Sequence, residues 1–160
     1  MKIKFLARIV VLAFIASVFL GCFSSCSSGG SKQKLQEFYD LASESKALMD
    51  EIADTIYSNW YDAIYNSKYN GSIDLAVAMA QYSNEDNINR VNEIDPLISN
   101  LFKELRDGSS GAQVKSVMSA YSDYYEFVVN VSGSFTSYSK NKEELKKALA
   151  SALKTLSFEL

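Results

Sequence analysis

From Leu35 onward the apolar positions recur every three or four residues, the spacing of an α-helix with one buried face. Leu35, Phe38, Ala42, Met49, Ile52, Ile56 and Ala63 form one such stripe. Ser45 and Asn59 fill its gaps, and Leu41, Leu48, Trp60 and Ile64 widen it. The stripe predicts a long first helix from about Lys32 to Ser67, stopped by Asn70-Gly71, with Ser72 as the cap of the next segment. Ile73, Leu75, Val77 and Met79 follow without clear phase and predict two helical turns packed against several neighbours.

Ser83-Asn84-Glu85-Asp86 resembles a capping box with Asp in place of Glu, and Ile88, Val91, Ile98, Leu101, Phe102 and Leu105 continue the helical phase. Pro96 falls inside this pattern. Either the helix kinks there with the loss of one backbone bond, or Asp95 caps a new helix that starts at Pro96. The preserved phase favours the kink. Asp107 to Gly111 reads as a turn, and Ser110 with Gln113 as a second capping box. Val114, Val117, Tyr121, Tyr124, Val128 and Val131 then give the most regular helix of the chain, ended by Gly133. Phe135 and Tyr138 are expected to anchor the crossing to a last helix from about Ser139, marked by Leu145, Leu149, Ala152, Leu153 and Leu156. Short connections between long amphipathic helices imply antiparallel neighbours. The expected fold class is therefore all-α: an antiparallel four- or five-helix bundle over residues 34–160.

The first residues follow another pattern. Lys2, Lys4 and Arg8 precede an apolar run from Ile9 to Leu20, and Gly21 follows, the layout of a secretory signal over residues 1–21. Carried to Phe23, the run reaches about 15 residues, short of the roughly 20 needed to span a bilayer as a helix. Phe19-Leu20-Gly21-Cys22 resembles the lipobox of bacterial lipoproteins. That resemblance implies a diacylglyceryl group on the Cys22 sulfur, which would hold the mature chain to the extracytoplasmic face of the cell membrane. Phe23-Ser24-Ser25-Cys26 offers Cys26 as an alternative attachment point, and the competing structural readings are a disulfide between the two cysteines or two inert thiols inside an uncleaved anchor. Two acyl chains anchor stably because each buried methylene contributes about 0.8 kcal/mol. Residues 22–33, rich in Ser and Gly, are expected to form a flexible tether with a reach of roughly 15 to 20 Å.

Loss of Lys2, Lys4 and Arg8 with the leader leaves 13 basic residues against 19 acidic ones, a net charge of about −6. Such a surface repels a nucleic-acid backbone and an anionic lipid sheet alike. The chain contains no histidine, which removes Ser-His and Cys-His nucleophile arrangements and imidazole-based zinc sites. Neither G-x-x-x-x-G-K nor G-x-G-x-x-G occurs, and Asn84-Glu85-Asp86 lacks the glycine and distal glutamate of a calcium loop. No metal or cofactor is expected. Asp50 with Asp54, and Glu51 with Asp54, are carboxylate pairs at helical spacing; on an amphipathic helix such pairs belong to a solvated face.

Tyr57, Tyr61, Tyr65 and Tyr69 recur at steps of four, with Trp60 and Ile64 beside them. The step places them along one drifting side of the first helix. Tyrosine offers large contact area and a polar tip at low entropic cost, so an exposed stripe suits a protein or glycan partner. The alternative is that the rings widen the buried face while their hydroxyls reach water. The stretches Trp60 to Ile64 and Val131 to Ser139 are similar to those of small, helix-rich bacterial lipoproteins of unknown function, in which a Ser-Gly-Ser-apolar turn precedes the last helix. That resemblance implies a fold and an address, and no activity. The leading expectation is a non-enzymatic, membrane-anchored binding module. The alternatives are a structural or protective envelope lipoprotein, for example one that excludes phage, and a small carboxylate enzyme.

Overall fold

Periodic burial turns each apolar stripe into a helix. The computed structural model describes residues 29–160, so the expected leader over 1–21, Cys22, Cys26 and the start of the tether lie outside the described residues. Among the described residues five α-helices follow one another: α1 (Gly29–Tyr65), α2 (Ile73–Ser83), α3 (Glu85–Leu105), α4 (Gly111–Val129) and α5 (Phe135–Leu156). A 3₁₀ turn (Lys68–Gly71) joins α1 to α2, and another (Ser157–Glu159) follows α5. Among the described residues there is no strand, and no helix is long and apolar enough to cross a membrane. The fold is all-α.

Cross-helix bonds fix the directions. Lys34 reaches Glu104 at 2.6 Å and Arg90 reaches Glu44 at 2.8 Å, so α3 runs antiparallel to α1. Lys142 reaches Asp54 at 2.6 Å and Lys146 lies 3.6 Å from Asp50, which sets α5 antiparallel along another side of α1. Gln113 donates to Glu159 at 3.0 Å, pairing the start of α4 with the end of α5. These four helices form an up-down-up-down ring, with α1 and α4 parallel across its diagonal. α2 lies outside the ring against the last turns of α1, where the Asn59 side-chain amide donates to the Ala76 carbonyl at 3.3 Å. The core holds predicted positions, Phe38, Met49, Ile52 and Ile56 from α1, Val91 and Ile98 from α3, Val117, Tyr121 and Tyr124 from α4, and Leu149 and Leu156 from α5, all closed to solvent, together with Ile94 of α3, which the stripe had not included.

The boundaries depart from expectation in instructive places. α1 begins at Gly29, so Gly29 to Gln33 are helical and not tether; extending a helix from a packed nucleus costs little per added residue. α3 passes through Pro96 as one helix, and no new helix starts there. Neither expected capping box forms. Ser83 donates its hydroxyl to the Ala80 carbonyl, and Gln113 turns to Glu159, while the caps of α3 and α4, Asn84 and Ser110, make no side-chain capping bond. Among the described residues the one reciprocal box is at α5, where the Ser134 hydroxyl accepts from the Ser137 amide at 3.2 Å and the Ser137 hydroxyl accepts from the Ser134 amide at 2.9 Å. It starts α5 at Phe135, four residues before the expected Ser139.

α1 stops at Tyr65 because Ser67 adopts the left-handed conformation (φ 54°) that commonly ends helices. Tyr69, Asn70 and Gly71 are left-handed too, with φ of 55°, 53° and 74°. The Asp62 carboxylate secures this exit by accepting from the Asn66 amide at 2.6 Å and from Lys68.

Candidate functional site

Three of the four tyrosines of the stripe gather on a single ring. Tyr57 stacks on Phe135 with centroids 5.1 Å apart, and Tyr61 and Tyr65 each lie 6.2 Å from it. Tyr61 and Tyr65 are 4.6 Å apart. Phe135 is the first residue of α5, placed by the Ser134–Ser137 box, so local capping chemistry positions the centre of the cluster. Trp60 lies behind it, buried, 6.1 Å from Phe135 and 5.5 Å from Tyr138. Tyr57 is half-buried, whereas Tyr61 is 43% exposed and Tyr65 60%. The outer part of the stripe is therefore an aromatic surface, and its inner part belongs to the core edge. Tyr69 departs from the expected stripe: the helix has ended before it, and it sits in the left-handed turn.

A polar cluster of which the sequence pattern singled out only Asp50 and Asp54 adjoins this surface. Lys142 is only 8% exposed, its ammonium 4.5 Å from the centre of the Tyr57 ring and 2.6 Å from Asp54. Lys146 lies 3.4 Å from Asp54 and 3.6 Å from Asp50; Asp50 also pairs with Lys46 at 2.7 Å and accepts from the buried Tyr124 hydroxyl at 2.9 Å. Asp50 and Asp54 thus face α5, with Asp50 largely covered and Asp54 still half-exposed, so the reading of that pair as a solvated face holds only for the outer side of Asp54. The signal was present as two matched i,i+4 pairs, acidic on α1 and basic on α5. Burial alone would raise the Asp54 carboxyl, but the hydrogen bond and charge of Lys142, aided by Lys146, hold it below the usual carboxylate range. Burial works against the Lys142 charge, and Asp54 outweighs it, so this ammonium is held above the ordinary lysine value. Both Asp50 and Asp54 are neutralised by lysines, an arrangement suited to fixing the register of α5 on α1.

The expectation that the short segment α2 packs against several neighbours is corrected. Only Ala76 and Ala80 are buried, both on the side that meets α1. Leu75, Met79 and Tyr82, at i, i+4 and i+7, stand 44%, 43% and 73% exposed. Small residues let α2 lie close on one helix while its large side chains have no neighbour to cover them, so its apolar periodicity has no single phase.

A groove of about 320 Å³ at the opposite end of the bundle is lined by Ser31, Lys32, Glu104, Gly108, Ser109 and Glu159 among others. Its two carboxylates are already engaged, Glu104 by Lys34 and Glu159 by Gln113. Among the described residues no group of three or more Cys, Asp or Glu is placed to hold a metal ion. No protein-family model, curated protein or solved structure matches the chain.

Proposed function

We propose that this chain is a lipid-anchored, non-enzymatic binding module of the cell envelope, attached through Cys22, or alternatively Cys26, and engaging an envelope protein or glycan through Tyr57, Tyr61 and Tyr65. The observation that carries this reading is the exposure of Tyr61 and Tyr65 around Phe135 at one end of α1. The N-terminus of α1, nearest the attachment cysteine, is at its other end. The 37 residues of α1 give it a length of about 55 Å, which would hold the aromatic end clear of the bilayer. Tyrosine rings packed on one another lose little freedom on binding, which favours contact with planar or apolar partner groups.

Two measurements test the reading. The intact mass of protein extracted from membranes should correspond to a chain beginning at Cys22 with added acyl mass; an unmodified chain starting at Met1 in the soluble fraction overturns the anchor. Saturable binding of a purified envelope protein or glycan should fall by about tenfold or more in Tyr61→Ser/Tyr65→Ser. Binding undiminished in that variant removes the tyrosine face from the proposal.

A further inference from the structure

The exposed ridge of α2 is a second surface, separate from the tyrosine face. Asn59, which contacts α2, and Tyr61, which contacts Phe135, lie two residues apart and so about 200° around α1. The two surfaces therefore occupy opposite flanks. Helices that are apolar all round are normally buried. α2 buries two alanines and leaves Leu75, Met79 and Tyr82 in a row facing water.

The charges bordering this row select its occupant. From Asp62 to Ile98, the stretch that carries and flanks α2, the sequence holds six carboxylates and two cations, Lys68 and Arg90. Both cations are engaged, Lys68 by Asp62 and Arg90 by Glu44 and Glu93. Asp74 adjoins Leu75, and Glu85 and Asp86 follow Tyr82 within four residues; among the described residues these three carboxylates make no ion pair. A second copy of the chain would oppose two acidic borders, and an anionic bilayer would meet like charge. A basic amphipathic helix satisfies both features: apolar side chains at i, i+4 and i+7 would interleave with Leu75, Met79 and Tyr82 while lysines or arginines meet the carboxylates. The unbranched Met79 can adapt its shape to such a ridge. We infer that α2 docks a basic amphipathic helix of a partner protein along Leu75, Met79 and Tyr82. The inference depends on neither the lipid anchor nor the tyrosine face.

The test uses the full chain and a synthetic amphipathic peptide with leucines at i, i+4 and i+7 and lysines along both edges, alongside a version with glutamates in place of the lysines. The lysine-edged peptide should bind saturably, weaken as salt rises, and lose about tenfold in affinity to Leu75→Ser/Met79→Ser. The same affinity should be unchanged by Tyr61→Ser/Tyr65→Ser. The exposed positions of Leu75 and Met79 leave the core untouched, so unaltered circular dichroism accompanies the loss. Asp74→Asn/Glu85→Gln/Asp86→Asn provides a second variant and should flatten the salt dependence. Equal binding of the glutamate-edged peptide, or no saturable binding of either, overturns the inference. So does self-association abolished by Leu75→Ser, or stronger binding to phosphatidylglycerol vesicles than to the lysine-edged peptide.

Discussion

The Tyr124 hydroxyl donates to the Asp50 carboxylate at 2.9 Å across the diagonal of the bundle, joining α4 to α1 at the point where the lysines of α5 converge. One turn earlier, the Tyr121 hydroxyl is buried beside Ser45 and Asp95 without a well-formed hydrogen bond. The two tyrosines should respond oppositely to loss of that oxygen. Tyr124→Phe should destabilise by about 1.5 kcal/mol, the low end for a hydrogen bond to a charged group, because Asp50 keeps Lys46 and Lys146. Tyr121→Phe should be neutral or stabilising by up to about 1 kcal/mol, since an unpaired polar atom leaves the core. Urea unfolding of both variants measures the difference, and equal losses would contradict it.

Buried phenols make the fold sensitive to alkali. Burial pushes the hydroxyls of Tyr124, Tyr121 and Tyr138 well above the ordinary tyrosine value, with the Asp50 charge reinforcing the effect at Tyr124. A group whose folded value is raised contributes stability that is complete below its unfolded pKa, near 10, and declines above it. Of the ten tyrosines, these three should therefore ionise only as the protein unfolds. Absorbance at 295 nm during an alkaline titration should show a late cooperative step coincident with loss of helicity; smooth titration of all ten with helicity intact would contradict this.

The pairing of Lys142 with Asp54 should matter most between acid and alkaline limits. The Asp54 value is lowered, so its contribution is present above the unfolded carboxylate pKa, near 4, and is lost as pH falls through the folded value. The Lys142 value is raised, so its contribution is present below about 10.4 and is lost as pH climbs through the folded value. Lys142→Met keeps an apolar side chain of similar reach and removes the charge that lies over the Tyr57 ring. The stability gap between wild type and this variant should be widest from about pH 5 to 10 and narrow toward pH 3. Asp54 remains half-exposed, so the gap should also shrink in salt. A gap constant from pH 3 to pH 7 would remove the ion pair as its cause.

Gly111 opens α4 where the chain passes against the end of α3. A methyl group there would meet the Arg106 carbonyl group, approaching its carbon to 2.9 Å and its oxygen more closely. Gly111→Ala should therefore cost about 1 to 3 kcal/mol as the backbone shifts. Gly30→Ala, with no atom near the new methyl, should cost nothing measurable. Thermal unfolding of the pair makes the comparison, and equal midpoints would contradict it.

The long helices were legible because each buries one continuous face. The spacing through Val114, Val117, Tyr121, Tyr124 and Val128 is read out position for position as burial. The tyrosine stripe was legible as far as the helix that carries it. Tyr69 was misplaced because the step of four was carried past the end of the helix: Asn70-Gly71 marked the stop, but the left-handed Ser67 that ends α1 at Tyr65 has no signal in the spacing. α2 escaped for a different reason: periodicity reports how many neighbours a helix has, and this one has essentially a single neighbour. The capping boxes failed as signals where Ser83 and Gln113 found other partners, and the one that forms uses serine at its third position rather than glutamate. The Lys142–Asp54 contact joins residues 88 apart in sequence, so only the antiparallel arrangement of α1 and α5 reveals it.

Because α1 runs unbroken from Gly29 to Tyr65, a pull applied between its two ends would be transmitted along one column of backbone hydrogen bonds. α3, α4 and α5 are fastened to the side of that column and lie outside the line of tension. Mechanical resistance should accordingly depend on how far the lateral contacts of α1 delay its own unwinding, and far less on the loops that join the other helices.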